Sequence, residues 1–199
     1  MKRVETKKAK VNPTFINSWI IEPPSLCDSL VEYFESKISK QKKGSTGSGI
    51  NINIKDSVDI AINPKDIILP GNQIFNQYFE ELFECHKDYI SQWPFLQENS
   101  TKFEIGVFNL QRYKPGQHFK KIHTERFSVE SLHRIFVFMT YLNDVEDGGS
   151  TYFSHYDLTI NPKKGLTLIW PAEWTHAHKG NILKKGKKYI ITGWINFTI

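Results

Sequence analysis

From Phe103 to the end of the chain, strand-like runs follow one another with no helical pattern between them, and this limits the possible folds more than any other feature. The runs cover residues 103–112, 133–142, 151–160, 165–170 and 188–198, each rich in β-branched and aromatic side chains. Lys114-Pro115-Gly116, Asp147-Gly148-Gly149, Asn161-Pro162 and Lys185-Gly186 supply turns between several of them. The first half reads differently. A strand over 14–21 stops at Pro23-Pro24, and a helix capped by Ser25 then buries Leu26, Leu30, Phe34 and Ile38 through about residue 39. Residues 41–49 are polar and glycine-rich, which predicts a mobile loop, and Ile50, Ile52 and Ile54 alternate as in a short strand. A second helix begins at Asn72, with Ile74, Tyr78, Leu82, Cys85 and Tyr89 as its apolar stripe, and stops near Trp93-Pro94. Helices first and strands afterwards predict an α+β chain whose β half closes into a sandwich or barrel. The expected organisation is a basic tail over 1–12 and one domain over 13–199, with helical support at about 24–95 and the β core at about 103–199.

The charge and apolar patterning exclude several classes. The longest uninterrupted apolar run, Ile135-Phe136-Val137-Phe138-Met139, is far short of the roughly 20 residues a membrane-spanning helix needs. No apolar stretch follows the basic start, so a secretory signal is not expected and the expected location is the cytoplasm. Cys27 and Cys85 lack metal-ligand spacing and fit reduced, buried thiols. Of the net charge of +5, the first ten residues hold +4, leaving only +1 for the remainder, so a nucleic-acid partner is not expected.

Within the β half, His123-Thr124-Glu125 sets an imidazole and a carboxylate two residues apart, on one face of an extended strand. Downstream, Trp174-Thr175-His176-Ala177-His178 offers a third ligand; if it is extended its two histidines share a face, so parity leaves His176 and His178 both open. Two histidines and a carboxylate are the ligand set of the facial triad, which leaves open positions on ferrous iron. The run Lys184-Lys185-Gly186-Lys187-Lys188 leads into an apolar segment, and a lysine entering a core needs an anionic partner. A bound dicarboxylate in that role would put metal and co-substrate in one pocket.

Further motifs follow in order: Gln111-Arg112-Tyr113, Pro115-Gly116-Gln117, Tyr141-Leu142-Asn143-Asp144, Gly148-Gly149-Ser150-Thr151-Tyr152-Phe153, Pro162-Lys163-Lys164-Gly165, and His178 with Gly186 and Lys188 eight and ten positions later. With the His123-Thr124-Glu125 triplet, residues 103–197 resemble the iron(II)- and 2-oxoglutarate-dependent dioxygenases, in their prolyl 4-hydroxylase-like branch. Thr175-His176-Ala177-His178-Lys179-Gly180-Asn181 and Tyr189-Ile190-Ile191-Thr192-Gly193-Trp194 are similar to the dioxygenases of marine bacteriophages, which would place the protein in the cytoplasm of a bacterial host.

The resemblance implies a double-stranded β-helix, or jelly-roll, core with iron held by His123, Glu125 and His178. The family spacing to the glycine and the basic residue selects His178, with His176 lining the pocket or bonding nearby. Lys188 is implied to bind the distal carboxylate of 2-oxoglutarate, with Lys187 second because adjacent strand residues face opposite ways; Tyr113, Tyr141 and Thr151 are further co-substrate contacts. The implied cofactors are Fe(II), 2-oxoglutarate and O2, with ascorbate as an optional reductant. A carboxylate at Glu125 favours hydroxylation over halogenation. Peptidyl proline leads as substrate, followed by other peptides or proteins and small molecules, with specificity placed in the loops 41–49, 55–59 and 126–131. Two departures from the family stand out: Glu125 replaces the usual Asp, and one extra residue between Gly116 and His123 predicts a bulge within 117–122. The alternative is a jelly-roll protein that binds metal or ligand without catalysis.

Overall fold

The computed structural model describes residues 13–99 and 102–198, so the basic tail expected at 1–12 lies outside the described residues. The first half holds β1 (Asn17–Ile20), α1 (Pro24–Ser36), β2 (Lys42–Lys43), β3 (Lys55–Asp56), β4 (Val58–Ile62), α2 (Ile74–Ser91) and α3 (Pro94–Asn99). The second half is built of strands: β5 (Phe103–Ile105), β6 (Phe108–Tyr113), β7 (His118–His123), β8 (Arg134–Tyr141), β9 (Asp147–Gly148) and β10 (Thr151–Phe153). These lead on to β11 (Leu158–Ile160), β12 (Leu166–Pro171), β13 (His178–Gly180), β14 (Leu183–Lys185) and β15 (Lys188–Phe197).

One sheet runs in the order β1-β12-β8-β15-β6-β4-β2, with β5 also paired to β15; a second runs β11-β10-β13-β7-β3. The pairings are antiparallel, β9 and β14 form a two-stranded sheet of their own, and from β6 onward the chain crosses repeatedly between the two larger sheets. That arrangement is a jelly roll. No helix among the described residues is long and apolar enough to cross a membrane.

The apolar run in β8 has its reason in burial on both faces. Phe136 and Phe138 pack outward on the cluster that holds Leu30, Phe34, Tyr78 and Leu82 of α1 and α2. Val137 and Met139 point into the roll with Leu168, Trp170 and Ile190. Thr140 is tolerated on the helix side because it bonds Tyr78 Oη at 2.9 Å and Thr167 Oγ1 at 2.7 Å. The same alternation runs along β15: Tyr189, Ile191 and Ile195 face the helices, while Lys188, Ile190, Thr192 and Trp194 face a cavity inside the roll.

Several local expectations are corrected. Pro23 stands at the N-cap of α1 without a side-chain bond, so Ser25 is not the cap. The helix ends at Ser36, and Ile38, expected on its buried stripe, is 75% exposed in a separate 3-10 turn. On α2, Phe75 rather than Ile74 is buried. The segment 41–49 carries β2, paired with β4, and a turn closed between Thr46 and Gly49. Ile50 and Ile52 are exposed in no strand; the strand is β4, obscured in the sequence by Asp59 and stabilised by pairing with β6. The run 103–112 divides at Gly106, where a Cβ would meet Asn196 Nδ2 at 2.6 Å. The run 151–160 divides into β10 and β11 around a turn. Cys27 and Cys85 are buried free thiols, pushed up by burial to about 11 and about 12.

Candidate metal and co-substrate site

His123 is the last residue of β7 and His178 the first of β13, and the two are cross-strand partners. From that pair to Gly180 and Phe119, two steps along β13 oppose four along β7, so β7 bulges within the stretch where an insertion was expected. Phe119 lies flat on the His123 ring, with centroids 3.8 Å apart. Glu125 follows in a bend rather than in the extended strand expected for the triplet. Its Oε1 lies 3.4 Å from His123 Nε2 and 3.7 Å from His178 Nε2.

The three residues suit a divalent metal. Their ligand atoms lie within 4.8 Å of one another. His123 Nδ1 donates to the Lys121 carbonyl at 2.8 Å, and His178 Nδ1 to the His176 carbonyl at 2.9 Å. A carbonyl only accepts, so each Nδ1 carries the proton and each Nε2 keeps its lone pair for a metal. Burial, with the neighbouring His123 charge, pushes His178 down to about 4, which keeps it in the neutral form a metal requires. Burial alone would raise Glu125, but His123, His178 and Trp194 outweigh it and hold the carboxyl at about 2. Trp194 Nε1 donates to Glu125 Oε2 at 3.0 Å. The Arg134 guanidinium lies 3.7 Å from the centre of the Trp194 ring and donates to the Glu125 carbonyl at 2.9 Å.

The extended segment that made His176 and His178 equivalent is instead a 3-10 turn over Trp174–His176, and this separates them. His176 turns away: its Nε2 donates to the Thr14 carbonyl at 2.9 Å and its Nδ1 accepts from Thr175 Oγ1 at 3.0 Å. Neither nitrogen is left for a metal.

The ligands line a cavity of about 1460 Å³ shared with Lys188, Tyr113 and Thr151. Lys188 is 4% exposed, and burial pushes its ammonium down to about 7. Its Nζ donates to the Gly149 carbonyl at 2.8 Å and sits 4.3 Å from the Tyr113 ring centre, with no carboxylate paired to it among the described residues. A buried cation without a counter-charge suits an anionic ligand. Lys187, by contrast, is exposed. Gly149 makes room: its φ is +69°, and a Cβ would lie 3.2 Å from Lys188 Cδ. Tyr141 is not part of the cavity wall; its hydroxyl bonds Thr151 Oγ1 at 2.6 Å and so supports a residue that is.

Arg134 and Trp194 were missed as cavity residues by sequence reasoning. Period-two spacing from Lys188 reaches Trp194 and could have found it. Lys55 and Asp59 fall in the segment 55–59 expected to carry specificity; the structure puts them on β3 and β4 rather than in a loop, as a buried ion pair at 2.6 Å in the cavity wall.

Comparison with known proteins agrees with this geometry. Residues 108–196 match the family model of the 2OG-Fe(II) oxygenase superfamily. A probable prolyl 4-hydroxylase of Arabidopsis thaliana, number 9 of its series, is 31% identical over 114 residues, covering 44% of this chain and 40% of the relative. The procollagen-lysine,2-oxoglutarate 5-dioxygenase 1 of Gallus gallus is 30% identical over 182 residues, covering 85% of this chain and 22% of the relative. The chain thus spans less than half the length of these curated relatives. Among solved structures, a viral collagen prolyl hydroxylase from Paramecium Bursaria Chlorella virus-1, in complex with 2OG, superposes with a TM-score of 0.68 at 19% identity, over 92% of this chain and 97% of that one. Residues 108–196, the jelly-roll half of the chain, are thus similar to the 2OG-Fe(II) oxygenase superfamily.

Proposed function

We propose that the protein is an Fe(II)- and 2-oxoglutarate-dependent dioxygenase that hydroxylates a C–H bond of a peptide or protein, with peptidyl proline as the first substrate to test. The observation that carries this reading is the His123, Glu125 and His178 cluster in one cavity with the unpaired, buried Lys188. When bound, ferrous iron and 2-oxoglutarate supply the oxidising power, oxygen being consumed as 2-oxoglutarate is converted to succinate and CO2 and the substrate carbon gains a hydroxyl. The chain's residues bind and orient. His123, Glu125 and His178 would hold the metal, Lys188 would take the anionic end of the co-substrate, and Tyr113 and Thr151 would offer hydroxyls beside it. Val137, Met139, Trp170 and Ile190 give that part of the cavity an apolar wall that excludes water.

Prolyl 4-hydroxylases among the relatives support a peptidyl proline substrate. The chicken relative suggests peptidyl lysine, but Lys40, Lys42, Lys43 and Lys121 outnumber Asp66 and Glu130 in the lining of this cavity, and that excess of positive charge disfavours a substrate ammonium. Two free thiols support a reducing compartment such as the cytoplasm.

The test is anaerobic titration of the purified protein with ferrous iron and 2-oxoglutarate, following the weak visible charge-transfer band of the chelate. A band that is lost in the His123→Ala and Lys188→Ala variants supports the reading and justifies screening proline-containing peptides. No band in iron-loaded protein would favour a non-catalytic binding protein.

A further inference from the structure

A buried polar chain runs from the co-substrate pocket to the cavity mouth. Beneath Lys188, the Tyr113 hydroxyl donates to Gln111 Oε1 at 2.8 Å, and Gln111 Nε2 donates to Asp59 Oδ2 at 3.4 Å. Asp59 is also held by Lys55 Nζ at 2.6 Å and by the Ser57 hydroxyl at 2.7 Å. From there the chain reaches the segment before β3. Lys55 Nζ donates to the Ser45 carbonyl at 3.4 Å, and the Gly44 N–H donates to the Ser57 carbonyl at 2.9 Å. Lys55, Ser57, Asp59, Gln111 and Tyr113 are buried, whereas Ser45, Thr46, Gly47 and Ser48 line the mouth.

Two features show that this contact is specific. A buried ion pair is at best neutral for stability compared with apolar packing, so its presence in a cavity wall points to positioning. Gly44 is required for the close approach, because a Cβ there would lie 2.1 Å from Ser57 Oγ and 3.2 Å from Asp59 Oδ2.

We propose that Asp59 and Gln111 are positioning residues that couple the co-substrate pocket to the segment 44–48 at the cavity mouth. The phenol has one proton to donate. An anion beside Lys188 that draws that proton leaves the Gln111 carbonyl without its donor, and the other cation of the network, Lys55, also anchors the segment. Co-substrate binding therefore biases how the segment is held, and the bias is reciprocal. The inference rests on the dioxygenase reading.

The experiment uses iron-loaded protein without oxygen, titrated with 2-oxoglutarate, and reads both its affinity and the rate of tryptic cleavage after Lys42 and Lys43. In the wild type, 2-oxoglutarate should change that rate. Gln111→Leu should weaken 2-oxoglutarate binding about tenfold, as expected for one lost buried hydrogen bond. It should also abolish the effect on cleavage and leave iron affinity unchanged. The Gln111→Leu/Tyr113→Phe double variant should bind no more weakly than Tyr113→Phe alone. A cleavage effect that persists in Gln111→Leu, or additive losses in the double variant, would overturn the coupling. If Gln111→Leu does not fold, Tyr113→Phe cuts the same link by removing one oxygen and must abolish the effect. Wild-type protein that binds 2-oxoglutarate with no change in cleavage overturns the coupling alone; wild-type protein that does not bind it overturns the functional reading as well.

Discussion

The indole N–H of Trp194 donates to Glu125 Oε2 at 3.0 Å, and that bond turns Oε1 toward both histidines. Trp194→Phe keeps the packing but releases the carboxylate, so ferrous iron affinity should fall about tenfold or more, the usual effect of losing a bond that orients a ligand. Glu125→Ala removes the ligand itself and should abolish iron-dependent turnover. Iron titration without oxygen separates the two, and unchanged affinity in Trp194→Phe would mean that Arg134 suffices to orient Glu125.

His178→Ala should end iron-dependent turnover, whereas His176→Ala should retain iron affinity. The second variant still pays for lost bonds, because His176 is buried and ties Thr14 to Thr175. Denaturant unfolding should show it destabilised by about 1–3 kcal/mol. Loss of iron binding in His176→Ala with retention in His178→Ala would reverse the assignment.

Lys188 sets a pH dependence. Burial lowers its ammonium from 10.5 to about 7, so between these values the unfolded chain binds a proton that the folded chain lacks. The protein without co-substrate should therefore gain stability as pH rises through that window and lose it as pH falls toward 7. A bound dianion favours the ammonium, so affinity for 2-oxoglutarate should decline as pH rises above about 7. Lys188→Arg, which stays charged, should flatten the profile, and Lys188→Ala should raise the 2-oxoglutarate requirement about 10- to 100-fold. Calorimetric titration across pH checks both; a wild-type profile as flat as that of the arginine variant would move the anchor elsewhere.

Gly193 tests the fold independently of the chemistry. It lies in β15 where a Cβ would meet Phe138 Cζ at 2.7 Å and Phe108 Cβ at 2.8 Å, so Gly193→Ala overpacks the contact between sheet and helices. A loss of about 1–3 kcal/mol is expected, read as a lower melting temperature. An unchanged melting temperature would show that the two phenylalanines can shift.

Much of the site was legible because strand alternation transmits parity along a single element. Lys188 shares its face with Ile190, Thr192 and Trp194, which is why it enters the cavity and Lys187 does not. Tyr113 and Thr151 also lie where the motifs placed them, whereas Tyr141 stands behind Thr151 rather than in the wall. The expectation failed at two places where the backbone left regular geometry, although the bulge in β7 was foreseen. The turn at Trp174–His176 broke the assumed equivalence of two histidines, and the bend at Glu125 replaced an assumed strand.

The sequence by itself determined the α+β order of elements, the kinds of ligand available and a basic stretch that could supply an anion anchor. These depend on side-chain chemistry and on periodicity within one segment. The resemblance already favoured His178 over His176, and the tertiary structure supplied the reason in the turn that parts them; only the tertiary structure decided that Asp59 reaches Gln111 from 52 residues away. The physical reason is that a turn resets the direction of the side chains that follow it, while contacts between distant residues are set by which strand edges pair, and neither is written in local spacing.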